Sequence, residues 1–222
     1  MSTALLAYQA GLLLRSQRWL APVVLYAASL GIGVQGGQPV LDSLGYAAAC
    51  LLPVGAWLVR ICVSNEPPAA RSCTAAAAGP RRAHLASLVT GFLATVAVGT
   101  VATAVVALIS DSASTDHRVK LAMPPAAWAG FLAMLGCALV GAAVGAVTSR
   151  PVVRSTGIGV ASMLLCALLA LVAPGSPARA AVSALITGSQ DGVIRVPLLP
   201  LAGAAALAAA CATAACRLAS RR

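Results

Sequence analysis

The sequence predicts an all-α integral membrane protein with six transmembrane helices and cytoplasmic N- and C-termini, in a single transmembrane domain that spans residues 1–222. Three observations predict it. The chain is 60% hydrophobic and only 9% charged, whereas a water-soluble domain carries about 25% charged residues. So few charges cannot cover a folded surface, and the apolar side chains must face lipid. Six apolar stretches are long enough to be read as spans, given a hydrocarbon core about 30 Å thick and a helical rise of about 1.5 Å per residue. Arginines gather in alternate connections, as topology requires.

Taken in chain order, residues 4–18 hold Leu5, Leu6, Leu12, Leu13 and Leu14, then Arg15, Gln17 and Arg18. This is the pattern of a short helix lying along the cytoplasmic interface, with an ordinary basic N-terminal flank as the alternative. Its basic residues follow the apolar stretch and no cleavage site closes it, so it does not read as a cleaved signal peptide. The first span is expected at 19–34, with Pro22 tolerated in its first turn. Gly31-Ile32-Gly33-Val34-Gln35-Gly36 at its end matches a dinucleotide-binding pattern. It lacks the preceding strand, following helix and ribose-binding acid, so the glycines read as a helix end. The second span, 44–63, carries Arg60 near one end, where a long side chain reaches the interface.

The loop that follows has its own helix. Asn65, Glu66, Pro67 and Pro68 resemble a helix start, with an amide capper, an acid at the positive dipole end and prolines in the first turn. Residues 69–78 favour helix, Gly79-Pro80 stops it, and Arg81 and Arg82 stand at the return to the membrane. A helix of about ten residues is marginal alone in water, so this one is expected to rest on the membrane face or on a partner protein.

The third span, 85–109, contains Thr90, Thr95, Thr100 and Thr103, whose hydroxyls are expected to bond their own backbone carbonyls. The fourth, 124–148, places Gly141 and Gly145 in a small-residue stripe for close helix packing. The fifth is expected at 156–173. Residues 174–197 form an outer segment in which 178–186 favours a short helix, either re-entrant or surface-lying, with an ordinary loop as the alternative. The sixth span covers 196–216.

With the N-terminus inside, cytoplasmic segments hold Arg15, Arg18, Arg60, Arg71, Arg81, Arg82, Arg150, Arg154, Arg217, Arg221 and Arg222, and outer segments hold only Arg118, Lys120, Arg179 and Arg195. The positive-inside rule therefore fixes both termini in the cytoplasm, and it explains the net charge of +10 without nucleic acid. Four of the five acids, Asp42, Asp111, Asp116 and Asp191, fall outside.

Several chemistries lack their residues. Six of the seven cysteines lie inside apolar runs and Cys73 stands alone in a loop, which is no disulfide framework. His84 and His117 have no acids or thiols grouped around them, so no metal site is expected. No phosphate-binding G-x-x-x-x-G-K-[ST] motif exists, and the single lysine, Lys120, is on the outer side. No ionisable residue falls near the middle of a span, which disfavours ion-driven carriers. Neither a paired acid nor a nucleophile beside a base is visible, so no catalytic residue and no bound cofactor are expected.

Six spans, an interfacial N-terminal helix, a short helix in the first cytoplasmic loop and a long outer segment before the last span form a plan. It is carried by residues 15–26, by the 65–82 loop, by 142–157 with Arg150-Pro151, and by the Pro174-Gly175-Ser176-Pro177 turn. In these the chain resembles the ABC-2 type permeases, the transmembrane subunits of ATP-binding-cassette exporters. The resemblance implies that the loop helix, about 68–78, is a coupling helix docked on a separate ATPase, with Glu66, Arg71, Arg81 and Arg82 as polar contacts. It implies a second permease subunit, as homo- or heterodimer, with the second and fifth spans facing the shared pathway. ATP and Mg would be held by the partner ATPase, whose closure rocks the spans from inward- to outward-open. The substrate would be lipophilic or amphipathic, such as an antibiotic, peptide or lipid. The setting would be a bacterial plasma membrane, crossed many times. The short outer loops depart from family members with a large outer domain. A non-transporting scaffold, sensor or immunity protein is the alternative, and a secondary carrier a further one.

Overall fold

The computed structural model describes residues 3–116, 118–150 and 155–220. His117, Pro151, Arg154, Arg221 and Arg222, named above, lie outside them. Nine helices form among the described residues: α1 Thr3–Ser16, α2 Leu20–Gly33, α3 Val40–Asn65, α4 Pro68–Ala78, α5 Pro80–Ile109, α6 Met123–Thr148, α7 Thr156–Val172, α8 Pro177–Asp191 and α9 Leu198–Ala219. The only β pairing among them is two isolated bridges, Pro39 with Asp111 and Ala113 with Lys120.

The core lies between α3 and α6, and glycines set its spacing. A Cβ on Gly141 would stand 2.6 Å from the Leu52 carbonyl oxygen, and one on Gly145 2.8 Å from that of Ala56. On the other flank of α3, a Cβ on Gly91 of α5 would stand 2.6 Å from Val59 Cα. Backbones thus approach α3 closely on two sides. Such packing is what holds helices together where lipid removes the hydrophobic drive.

The peripheral helices turn apolar side chains outward: Val24 and Ile32 on α2, Leu108 on α5, Leu164 and Leu168 on α7, and Leu199 on α9 are exposed. This belt makes sense against lipid, and its extent is that of a membrane protein. Four helices, α3, α5, α6 and α9, are long and apolar enough to cross a membrane. The pair α7 and α8, bent by 45°, makes a fifth if it is one broken span.

Most expected elements are present, with altered ends. The expected first span is a helix of 14 residues, about 21 Å long at 1.5 Å per residue and short of a full hydrocarbon core. It is cut off by Gln17 at φ 53 before it and by extended backbone at Val34 after it. Even so it runs between the two ends of the bundle. Arg18 before it shares a cleft with Arg60, and Gly37 N–H beyond it bonds the Ile109 carbonyl (3.3 Å). Helix α5 starts directly at Pro80, which places Arg81 and Arg82 inside its first turn. Helix α8 is longer than expected and is tucked against the bundle, with Ala178, Ala181 and Leu185 buried. Gly45 of α3 lets it close in, since a Cβ there would meet Ile186 at 3.6 Å. The hydroxyls of Thr95 and Thr100 bond the Gly91 and Val96 carbonyls, whereas the Thr90 hydroxyl is buried with no partner among the described residues.

Candidate functional site

The arginine-rich end is built around the turn from α3 into α4. The chain leaves α3 at Glu66 with extended backbone, and Pro68 opens α4 where a missing N–H costs nothing. Asn65 does not cap α4. Its Nδ2 donates instead to the Leu12 carbonyl of α1 (2.9 Å), and no side chain caps the helix start.

Glu66 is 5% exposed. Its carboxylate accepts hydrogen bonds from Tyr8 Oη (3.4 Å), Gln9 Nε2 (3.4 Å) and Thr74 Oγ1 (2.9 Å). The acid therefore ties α1 and α4 to the end of α3, and its charge is turned inward. Partial burial, and then the Glu66 charge beside it, push the Tyr8 phenol up from its ordinary pKa, which keeps its proton in place as a donor. Arg71 Nη2 donates to the carbonyls of Glu66 (2.9 Å) and Val63 (3.4 Å). A cation there satisfies the last carbonyls of α3 and suits its dipole.

Helix α4 itself has no buried residue. Cys73, Ala76 and Ala77 face outward. It ends at Gly79, whose φ of 85° is costly for a residue with a Cβ, and α5 follows at once. Arg81 Nε donates to Ser220 Oγ just beyond α9 (3.2 Å), and Arg82 is exposed.

Arg60 marks a second junction. Its Nη1 donates to the Thr148 carbonyl at the end of α6 (2.7 Å), and its guanidinium packs where a Cβ on Gly159 of α7 would sit. It belongs to a polar and aromatic stripe on one face of α3. Tyr46, Cys50, Pro53, Trp57, Arg60 and Ser64 are partly or fully exposed, at steps of three and four that keep them on one side of a helix. Helix α2 borders this stripe, where Tyr46 Oη donates to the Ser29 carbonyl (3.2 Å). Helix α7 borders it on the other side, where Trp57 packs with Met163 and Cys166.

Of the residues singled out in the sequence, Glu66 and Arg71 meet in this turn. Arg81 and Arg82 stand beyond α4, and Gly141 and Gly145 lie apart in the α3–α6 contact. Sequence reasoning did not connect Arg18, Arg60 and Arg150, nor Tyr8, Gln9 and Thr74 with Glu66. The signal was there for the arginines, since each flanks an apolar run on the side that the charge count predicts to be cytoplasmic. Among the described residues, no three His, Cys, Asp or Glu side chains gather to hold a metal ion. Compared with family models, curated proteins and solved structures, the chain gives no significant match.

Proposed function

We propose that this chain is the transmembrane permease subunit of an ATP-binding-cassette exporter, which shares with a second permease subunit a pathway for a lipophilic or amphipathic substrate. A separate ATPase binds ATP and Mg and drives it. In this reading the chain crosses a bacterial plasma membrane six times, by α2, α3, α5, α6, α7 and α9, with both termini inside and α8 in the outer segment between the last two.

The observation that carries the reading is α4. It is an eleven-residue helix with no buried residue, yet it is fixed at both ends, by Glu66 and Arg71 on one side and by the Gly79 turn on the other. An isolated helix of this length is marginal in water. Rigid mounting of an uncovered helix suits a docking element, and its direct joins to α3 and α5 leave little slack between a push on α4 and a tilt of two spans. Arg71, Arg81 and Arg82 frame it. Glu66 acts from behind by holding it.

The half-exposed stripe on α3 between α2 and α7 supports the second part of the proposal. Its aromatic and small residues, from Tyr46 to Trp57, give an amphipathic substrate an apolar face, and α7 corresponds to the fifth span. The test is affinity purification of the tagged protein from its native membrane in mild detergent. A soluble ATPase is expected to accompany it, and Ala76→Glu with Arg82→Glu, both at exposed positions, is expected to cut that recovery several-fold. Recovery without any ATPase, or undiminished recovery by the double variant, removes the basis for the proposal.

A further inference from the structure

Four arginines converge on one cleft of about 390 Å³ at the α4 end of the molecule: Arg18 from the α1–α2 connection, Arg60 from α3, Arg71 from α4 and Arg150 from the end of α6. The one acid in its wall, Glu66, has its carboxylate engaged by Tyr8, Gln9 and Thr74. It is turned to α1 and α4 and forms no ion pair with these arginines among the described residues. Arg60 and Arg71 are held in place by backbone carbonyls at the ends of α6 and α3. The side chains of Arg18 and Arg150 are exposed. Gathering like charges at this density is unfavourable unless an anion offsets it, and planar guanidinium groups match phosphate oxygens in pairs.

A second cavity of about 370 Å³ adjoins the cleft and shares Glu66, Pro68, Arg71 and Arg150 with it. Its further wall is largely apolar, with Val63, Ala75, Pro80 and Ala83. His84 also lines it, and its Nε2 is buried with no hydrogen-bond partner among the described residues. A basic cleft thus opens beside an apolar recess that holds one polar atom, His84 Nε2, without a partner among the described residues.

We propose that this cleft is a binding site for a phosphate-bearing anion, with the phosphate among Arg18, Arg60, Arg71 and Arg150. A membrane phospholipid supplies that chemistry with its headgroup in the cleft and glycerol and first acyl carbons in the recess by His84. A soluble phosphate supplies the same headgroup chemistry alone. Basic pockets between spans on the cytoplasmic side are suited to anionic headgroups. The site stands independently of the exporter reading, because no ATPase or second subunit contributes to it.

The experiment uses the purified full-length protein in neutral detergent, titrated separately with dioleoyl phosphatidylglycerol and with inorganic phosphate. Bound lipid is counted by native mass spectrometry, and phosphate by equilibrium dialysis. The variant is Arg18→Gln with Arg150→Gln, both exposed and with no side-chain hydrogen bond or ion pair among the described residues, and Arg195→Gln at the opposite end is the control. Phosphatidylglycerol binding that the double variant weakens about tenfold or more, and the control leaves intact, supports the site with a lipid as its source. Phosphate binding with the same variant dependence supports it with a soluble source. Binding of neither probe, or binding that the double variant leaves unchanged, overturns it.

Discussion

Glycine does at Gly141 and Gly145 what no other residue can. The atoms that a Cβ would meet there are the carbonyl oxygens of Leu52 and Ala56, and backbone in the middle of a packed helix cannot swing aside as a side-chain tip can. Gly141→Ala therefore has to part α3 and α6 along their main contact, at a cost of about 1–3 kcal/mol. Gly136 on the same helix is the comparison, since its nearest neighbour would be the Ala181 methyl at an ordinary 3.8 Å. Thermal unfolding in detergent is expected to show a lower midpoint for Gly141→Ala than for Gly136→Ala. Equal midpoints would mean that the helices tolerate separation at this point. The spacing of Gly141 and Gly145 was legible in the sequence because small residues four apart lie on one helix face. Their partner was not, because nothing local says which neighbouring span will come within reach. Glu66 teaches the same lesson in polar form. Its place at a helix start was readable, but its donors Tyr8 and Gln9 lie more than fifty residues away, and only the fold makes it an internal tie.

At the scale of elements, the Glu66 carboxylate ties α1 and α4 together, beside the Asn65–Leu12 bond that holds α1 and the Arg71 bonds that hold α4. Glu66→Ala would leave Gln9, itself 2% exposed, without its acceptor and would release Thr74 from across the turn. A buried donor left unsatisfied costs about 1–3 kcal/mol. The expected result is local: backbone amides of α1 and α4 exchange with deuterium faster, while those of α3 and α6 keep their protection. Uniform protection in the variant would show that α4 is held by something other than this tie. Helix existence was largely readable here, since apolar length and proline–glycine punctuation are local properties. Helix ends were less so. Helix α5 starts five residues before the expected span because Pro80, with its fixed φ and missing N–H, is a good first-turn residue, and α8 extends beyond its expected end until Gly192 takes a left-handed φ of 67°. The shortness of α2 was readable, since the apolar run at 19–34 is itself brief for a span.

For the whole molecule, the decisive property is which end faces which side. The sequence assigns sides by counting arginines, and the fold supplies a separate observation. Arg18, Arg60, Arg71 and Arg150, drawn from four different parts of the chain, share one cleft, and Arg81 meets Ser220 beside α4. Asp42 accepts from Thr115, which also bonds Ser189, and Asp191 pairs with Arg195 at 2.7 Å. Those two clusters sit at opposite ends of α3, so the charges are segregated in space as well as in sequence. The proposed orientation puts the α4 end in the cytoplasm, as the positive-inside rule predicts. Cys73 tests this without a new probe, because it is the exposed thiol among the seven and lies on α4. A membrane-impermeant maleimide is expected to label Cys73 in inside-out vesicles and to spare it in intact cells. In a Cys73→Ser background, Asp116→Cys at the exposed opposite end should reverse that pattern. Labelling of Cys73 from outside intact cells would turn the arginine cleft and α4 away from ATP, and a cytoplasmic ATPase could then have no surface here on which to act.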